Sequence, residues 1–206
     1  MGRHALKTAD VSDHMPKTII AADRTALVII DLQKGIASMP VFPRSSGEVI
    51  SNAALIAGEF RKRKMPVFLV RVLPVPPLDL RPESDAQPPV RRDMPSDWAE
   101  IVPELGPREG DVVITKRQWG AFYGTELEMQ LRRRRADTIV LCGISTNIGV
   151  ESTARFAYEF GFNQIFVEDA MAARSEEEHR LAIQTTFPRM GRVRSTSEVL
   201  DGLSRR

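Results

Sequence analysis

Thr138-Ile-Val-Leu-Cys-Gly-Ile-Ser-Thr-Asn-Ile-Gly149 reads as a buried strand that turns sharply and opens a helix. The run is apolar enough to be covered on both faces, and the small residues after Gly143 let the backbone double back. Two other runs end in ionisable groups. Ala26-Leu-Val-Ile-Ile30 is closed by Asp31, and Val112-Val-Ile-Thr115 by Lys116. An acid, a base and a small-residue turn at three strand ends form an active-site plan, because ligands of open parallel sheets sit beyond the carboxyl ends of the strands.

Outward from these runs, short β-rich segments alternate with amphipathic ones. Strands are expected at 26–31, 67–72, 112–115, 138–142, 164–168 and 192–194, and helices at 47–62, 125–134, 147–159, 176–186 and 197–203. The last two helices open with capping boxes, Ser175-x-x-Glu178 and Ser195-x-x-Glu198, in which each side chain satisfies the other residue's free N–H. Such alternation predicts an α/β fold, a three-layer doubly wound sheet of about six mainly parallel strands. Residues 1–17 are polar and are expected to form a flexible arm before a single domain, 18–206. The stretch 73–107 is rich in proline and charge and has no clear period. It is expected to be a partly ordered loop that covers the site, with a short helix around 98–102.

Composition narrows the function classes. A chain of 206 residues, 42% hydrophobic and 27% charged, suits one soluble globular domain. A net charge of +2 is too small to argue for nucleic acid or an anionic membrane, and neither partner is expected. The basic runs Arg61-Lys-Arg-Lys64 and Arg132-Arg-Arg-Arg135 close helical patterns, where cations complement the helix dipole. The single cysteine, Cys142, excludes an internal disulfide and fits a reducing compartment. No stretch approaches the ~20 apolar residues that cross a bilayer, and the N-terminus lacks a signal-peptide core, so a cytoplasmic protein is expected.

Asp31 follows five apolar residues, so desolvation should favour its neutral, proton-donating form, while Lys116 should pull toward the carboxylate. Such a pair in a dry cleft can hold or pass a proton near neutral pH. The turn offers backbone N–H groups at a helix N-terminus, suited to an anion or a developing oxyanion. With three histidines only, His4, His14 and His179, metal-binding spacing is missing; no metal and no cofactor are expected, and His179 reads as an ordinary helix residue.

Ile30-Asp-Leu-Gln33, Thr115-Lys-Arg-Gln-Trp-Gly-Ala-Phe122 and Cys142-Gly-Ile-Ser-Thr-Asn-Ile-Gly-Val-Glu-Ser-Thr-Ala-Arg155 together resemble the isochorismatase-like hydrolases, a superfamily of cysteine hydrolases. The likeness runs from about residue 18 through Val167-Glu-Asp-Ala170 and Phe187-Pro-Arg189. Most members carry an Asp–Lys–Cys triad. The resemblance puts Asp31 and Lys116 at the first two positions and Gly149 at the cysteine's, as in the isochorismatases proper. It further implies a cis peptide between Ile144 and Ser145, an oxyanion- or water-binding turn of Ile144, Ser145, Asn147 and Ile148, and substrate contacts from Gln33, Trp119, Phe122 and Thr146. The expected activity is cofactor-independent hydrolysis of a small organic acid, with Asp31 protonating a vinyl ether that water then attacks. A small-molecule substrate and a homo-oligomer, dimer or tetramer, are implied as partners. Arg71, Arg81, Arg91 and Arg92 are available for substrate carboxylates.

Three other readings stay open. One is a degenerate superfamily member that binds ligands or assembles without turnover. Another is an amide or ureido hydrolase using direct water attack. The last is a serine hydrolase, since Ser145, Asp169 and His179 occur in the α/β-hydrolase order.

Overall fold

The computed structural model describes residues 20–74, 80, 82–86 and 94–204. The expected arm, and Arg81, Arg91 and Arg92, lie outside the described residues. Six parallel strands form one sheet in the order β3-β2-β1-β4-β5-β6: β1 Thr25–Ile30, β2 Val67–Val72, β3 Val112–Lys116, β4 Thr138–Ile144, β5 Asn163–Ala172 and β6 Arg192–Arg194. The central strands β1 and β4 are buried along their whole length, as strands covered on both faces must be. Around them lie α1 Lys34–Ala37, α2 Ser46–Lys62, α3 Leu127–Arg133, α4 Glu151–Glu159, α5 Glu176–Leu181 and α6 Thr196–Ser204. Among the described residues no helix is long and apolar enough to cross a membrane.

The chain leaves β1 toward β2 on one side and later returns to lay β4 on β1's other side, so the strand order reverses between β1 and β4. That crevice is where a doubly wound sheet offers a ligand site. The two backbones crowd there. Gly143 has φ +124°, and a Cβ on it would fall 2.0 Å from the carbonyl oxygen of Ile30.

Helix starts follow the capping logic. Ser175 accepts from the Glu178 amide and Glu178 returns a bond to the Ser175 N–H, and the same exchange links Ser195 and Glu198. A further box, Ser45 with Glu48, opens α2 slightly before the expected start. Three elements differ from expectation. The helix at 147–159 opens as a π-helical turn, Thr146–Val150, and α5 gives way to another, Ala182–Thr186. β5 runs on to Ala172 because its register against β4 jumps from Leu141↔Phe166 to Gly143↔Met171, carrying polar Glu168 and Asp169 through an irregularity.

One further stretch departs from expectation, 98–102, where no helix forms. The backbone there binds the segment after β1 instead: Gly35 N–H donates to Trp98 O, Lys34 N–H to Glu100 O and Val102 N–H to Leu32 O, with Gln33 and Ile101 bridged antiparallel. These bonds satisfy the polar groups that a helical turn would otherwise pair internally. The Trp98 ring lies so close to Gly35 that a Cβ there would come within 2.0 Å of it.

Candidate active site

The site is built where β1 ends. Asp31 turns the chain with φ +54°, a conformation that aspartate tolerates better than most residues, and its N–H still donates to Val70 O at 2.9 Å. Its side chain is 7% exposed. Lys116 ends β3, two strands away, and its side chain, 2% exposed, reaches across to place Nζ 2.8 Å from Asp31 Oδ2. The same ammonium donates to Trp119 O at 2.8 Å and Gln118 O at 3.3 Å. Its donor capacity is thereby filled, and it acts as a fixed charge beside the acid.

The two carboxyl oxygens of Asp31 therefore differ. Oδ2 is clamped, while Oδ1 is buried with no hydrogen-bond partner among the described residues. Burial raises the pKa of this carboxyl above its ordinary value, and the Lys116 charge opposes it. A buried oxygen with no partner is costly unless it carries a proton or meets a ligand.

Gly149 lies against this pair. A Cβ on it would sit 3.0 Å from Asp31 Oδ2, 3.0 Å from Ile30 Cγ2 and 3.5 Å from Lys116 Nζ. Backbone alone therefore faces the acid there. The turn reaches this position through a cis peptide between Ile144 and Ser145. Ser145 O accepts from the N–H groups of Ile148 and Val150, both at 3.2 Å, and Ser145 Oγ donates to Asn147 Oδ1 at 3.0 Å. On one flank Thr153 Oγ1 donates to Gly149 O at 2.7 Å while accepting from Ala121 N–H at 3.0 Å. On the other, Thr146 Oγ1 is hydrogen-bonded to His179 Nδ1 at 2.9 Å.

The residues singled out as substrate contacts are dispersed. Gln33 is fully buried: Nε2 donates to Val72 O at 3.0 Å and Trp98 O at 3.3 Å, and Oε1 accepts from Val72 N–H at 2.8 Å. Its amide stitches β1 to β2 and to the long connection. Thr146 is likewise fully buried and faces α5. Phe122 is packed on Phe160 and Phe162, at centroid distances of 5.4 and 5.9 Å. Trp119 lends its carbonyl to Lys116, while its side chain stays 66% exposed. Arg71 Nε donates to Thr115 Oγ1 at the end of β2.

His179, read from sequence as an ordinary helix residue, is instead buried against the turn. Burial pushes its imidazole down to about 4, with the Arg44 charge acting in the same direction. Its place one turn inside a capped helix was the available signal, but nothing in sequence showed which face of α5 turns inward. Thr153, four residues after Gly149, was missed as well. No serine–histidine–aspartate relay forms, since His179 Nδ1 meets Thr146 and Asp169 Oδ1 accepts from the N–H and hydroxyl of Thr196. Cys142 is enclosed in β4, where burial pushes its thiol up to about 12, far from a reactive thiolate. Among the described residues no three His, Cys, Asp or Glu side chains gather as metal ligands.

Comparison with known proteins matches residues 25–198 to the isochorismatase domain. An uncharacterized isochorismatase family protein of Bacillus subtilis (strain 168) is 52% identical over 182 residues, 86% of this chain and 93% of that protein. A probable isochorismatase of Pseudomonas chlororaphis is 29% identical over 203 residues, 96% of this chain and 95% of that one. The solved structure of an isochorismatase family protein from Burkholderia thailandensis superposes with a TM-score of 0.86 at 42% identity, covering 92% of this chain and all of that one.

Proposed function

The chain belongs to the isochorismatase family of hydrolases, and from that premise we propose that it cleaves the vinyl ether of a small organic acid without a covalent intermediate. One observation carries the reading. Asp31 presents a buried oxygen with no partner among the described residues, its other oxygen is held by Lys116, and the backbone of Gly149 lies against the pair.

Asp31 Oδ1–H gives its proton to the terminal methylene carbon of the vinyl ether, whose π electrons form the new C–H bond. The ether oxygen stabilises the positive charge left on the adjacent carbon. Water adds there and returns a proton to Asp31. The hemiketal so formed collapses to a ketone and a free alcohol, and the acid is regenerated. Burial supports the first step by favouring the protonated carboxyl, and Lys116 supports the second by stabilising the carboxylate once the proton has left. At Gly149 there is no thiol to attack a carbonyl, which favours this chemistry over thioester-forming amide cleavage. A protein that only bound ligands would gain nothing from burying these two charges, because desolvating a buried ion pair is costly.

The test is turnover of isochorismate, and of a panel of vinyl ethers and amides, by the wild-type chain and by Asp31→Asn. Vinyl ether turnover that vanishes in Asp31→Asn is expected. Saturable binding without turnover in both proteins would assign a ligand-binding module, and turnover of amides alone would assign direct water attack on a carbonyl.

A further inference from the structure

The proton chemistry uses one side of the turn and leaves its other side unexplained. Thr146 follows the cis peptide and is wholly buried, and its hydroxyl is bonded to His179 of α5. Resting on the hydrolase reading above, we propose that His179 is a positioning residue: by holding Thr146 it sets the height of residues 145–149 over Asp31, and with it the space left for substrate at Gly149.

The geometry makes that height consequential. Gly149 approaches so closely that a Cβ would stand 3.0 Å from Asp31 Oδ2, and a displacement of a few tenths of an ångström would alter the contact. Among the described residues, two side-chain bonds tie the stretch from Ser145 to Gly149 to neighbouring elements. Thr153 holds the Gly149 carbonyl from α4, and His179 holds the Thr146 hydroxyl from α5. Both anchors have further support: Thr153 Oγ1 accepts from Ala121 N–H, and α5 begins in the Ser175–Glu178 capping box. The threonine is wholly buried, so giving up its partner would cost the desolvation of a buried polar group. The imidazole suits the task by staying neutral. Burial and the nearby Arg44 charge both disfavour the imidazolium. A neutral ring offers Nδ1 as acceptor to the threonine hydroxyl when its hydrogen is on Nε2, and as donor when the hydrogen is on Nδ1.

The experiment uses the full chain with His179→Phe, which keeps bulk without a polar atom, Thr146→Val, which removes only the hydroxyl, the double variant, and His179→Asn, which returns a polar atom near Nδ1. Amide hydrogen exchange of the peptide spanning 145–150 is expected to quicken about tenfold in both single variants and no further in the double one, while β1 and α2 keep their wild-type rates. Exchange in His179→Asn should fall back to within about threefold of wild type. On the substrate turned over by the wild type, kcat should drop about tenfold with KM nearly constant in His179→Phe and Thr146→Val, and recover in His179→Asn. Unchanged exchange at 145–150, uniform acceleration across the chain, or no recovery with asparagine would overturn the proposal. Failure of the hydrolase reading shows itself separately, as a wild-type chain without turnover, and the exchange measurement still decides the role of His179.

Discussion

Two enclosed ion pairs among the described residues are built from similar parts and left in different states, with the Arg61 side chain 14% exposed and the other three 7% or less. Arg61, in the last turn of α2, meets Asp111 just before β3: Nε donates to Oδ1 at 3.1 Å and Nη2 to Oδ2 at 2.7 Å. The Arg108 N–H adds a bond to Oδ2 at 2.8 Å, so both oxygens of this carboxylate are satisfied. Lys116 and Asp31 are as deeply enclosed, but only one of the Asp31 oxygens has a partner. Arginine's planar fork matches a carboxylate edge to edge, whereas an ammonium engages it at one point. The first arrangement closes a structural contact. The second keeps an acid in place and leaves one oxygen for chemistry.

Exchanging each aspartate for asparagine is the sharpest way to break that contrast. Asp31→Asn should lower kcat/KM by about 10³-fold, in line with loss of a general acid, and should lower the urea midpoint as well, because the Lys116 ammonium is left buried against a neutral amide. Asp111→Asn should also lower the urea midpoint, costing about 3 kcal/mol because Arg61 is left facing a neutral amide, but with kcat/KM held within about twofold. If both substitutions acted on activity alike, the distinction between the pairs would collapse. Gly149→Ala probes the space over Asp31 more gently. Its methyl group meets Asp31 and Ile30 at 3.0 Å, and turnover should fall about tenfold while stability changes by about 1 kcal/mol or less.

The last prediction is a pH dependence. His179 has its folded-state pKa depressed to about 4 from an ordinary 6.5, so the unfolded chain binds its proton more readily. The contribution of His179 is therefore fully present above pH 6.5, declines as the pH falls toward about 4, and levels off below. Urea unfolding of wild type and His179→Asn at several pH values should show the two curves converging across that window, with the wild type losing more. Parallel curves would mean that the imidazole does not titrate as its burial implies.

The parts of this architecture that were legible in sequence are those decided by local pattern. β1 and β4 announce themselves because a strand covered on both faces must be apolar throughout, and the ends of such strands locate Asp31, Lys116 and the turn together. What stayed hidden depends on partners distant in the chain. The bonds that draw 98–102 onto the segment after β1 span more than sixty residues, so a stretch with helical composition became a run of turns bridged at Ile101. Gln33 looked like a ligand-facing amide because its motif lies beside Asp31, yet its donors and acceptor all meet backbone. His179 was obscured by the orientation of α5, and the length of β5 by a register jump that carries two acidic residues through a strand.

The Gln33 side chain has one more consequence. It ties the departure of the long connection at Val72 and its return at Trp98 to a single amide, with Lys34 clasping Asp97 and Glu100 alongside. The insertion thus behaves like a cartridge with both terminals soldered to the chassis. One described residue inside it also reports to the site: Leu80 O accepts from Gln118 Nε2 at 3.1 Å, and the Gln118 carbonyl accepts from the Lys116 ammonium, so a change in the span can be felt beside the acid.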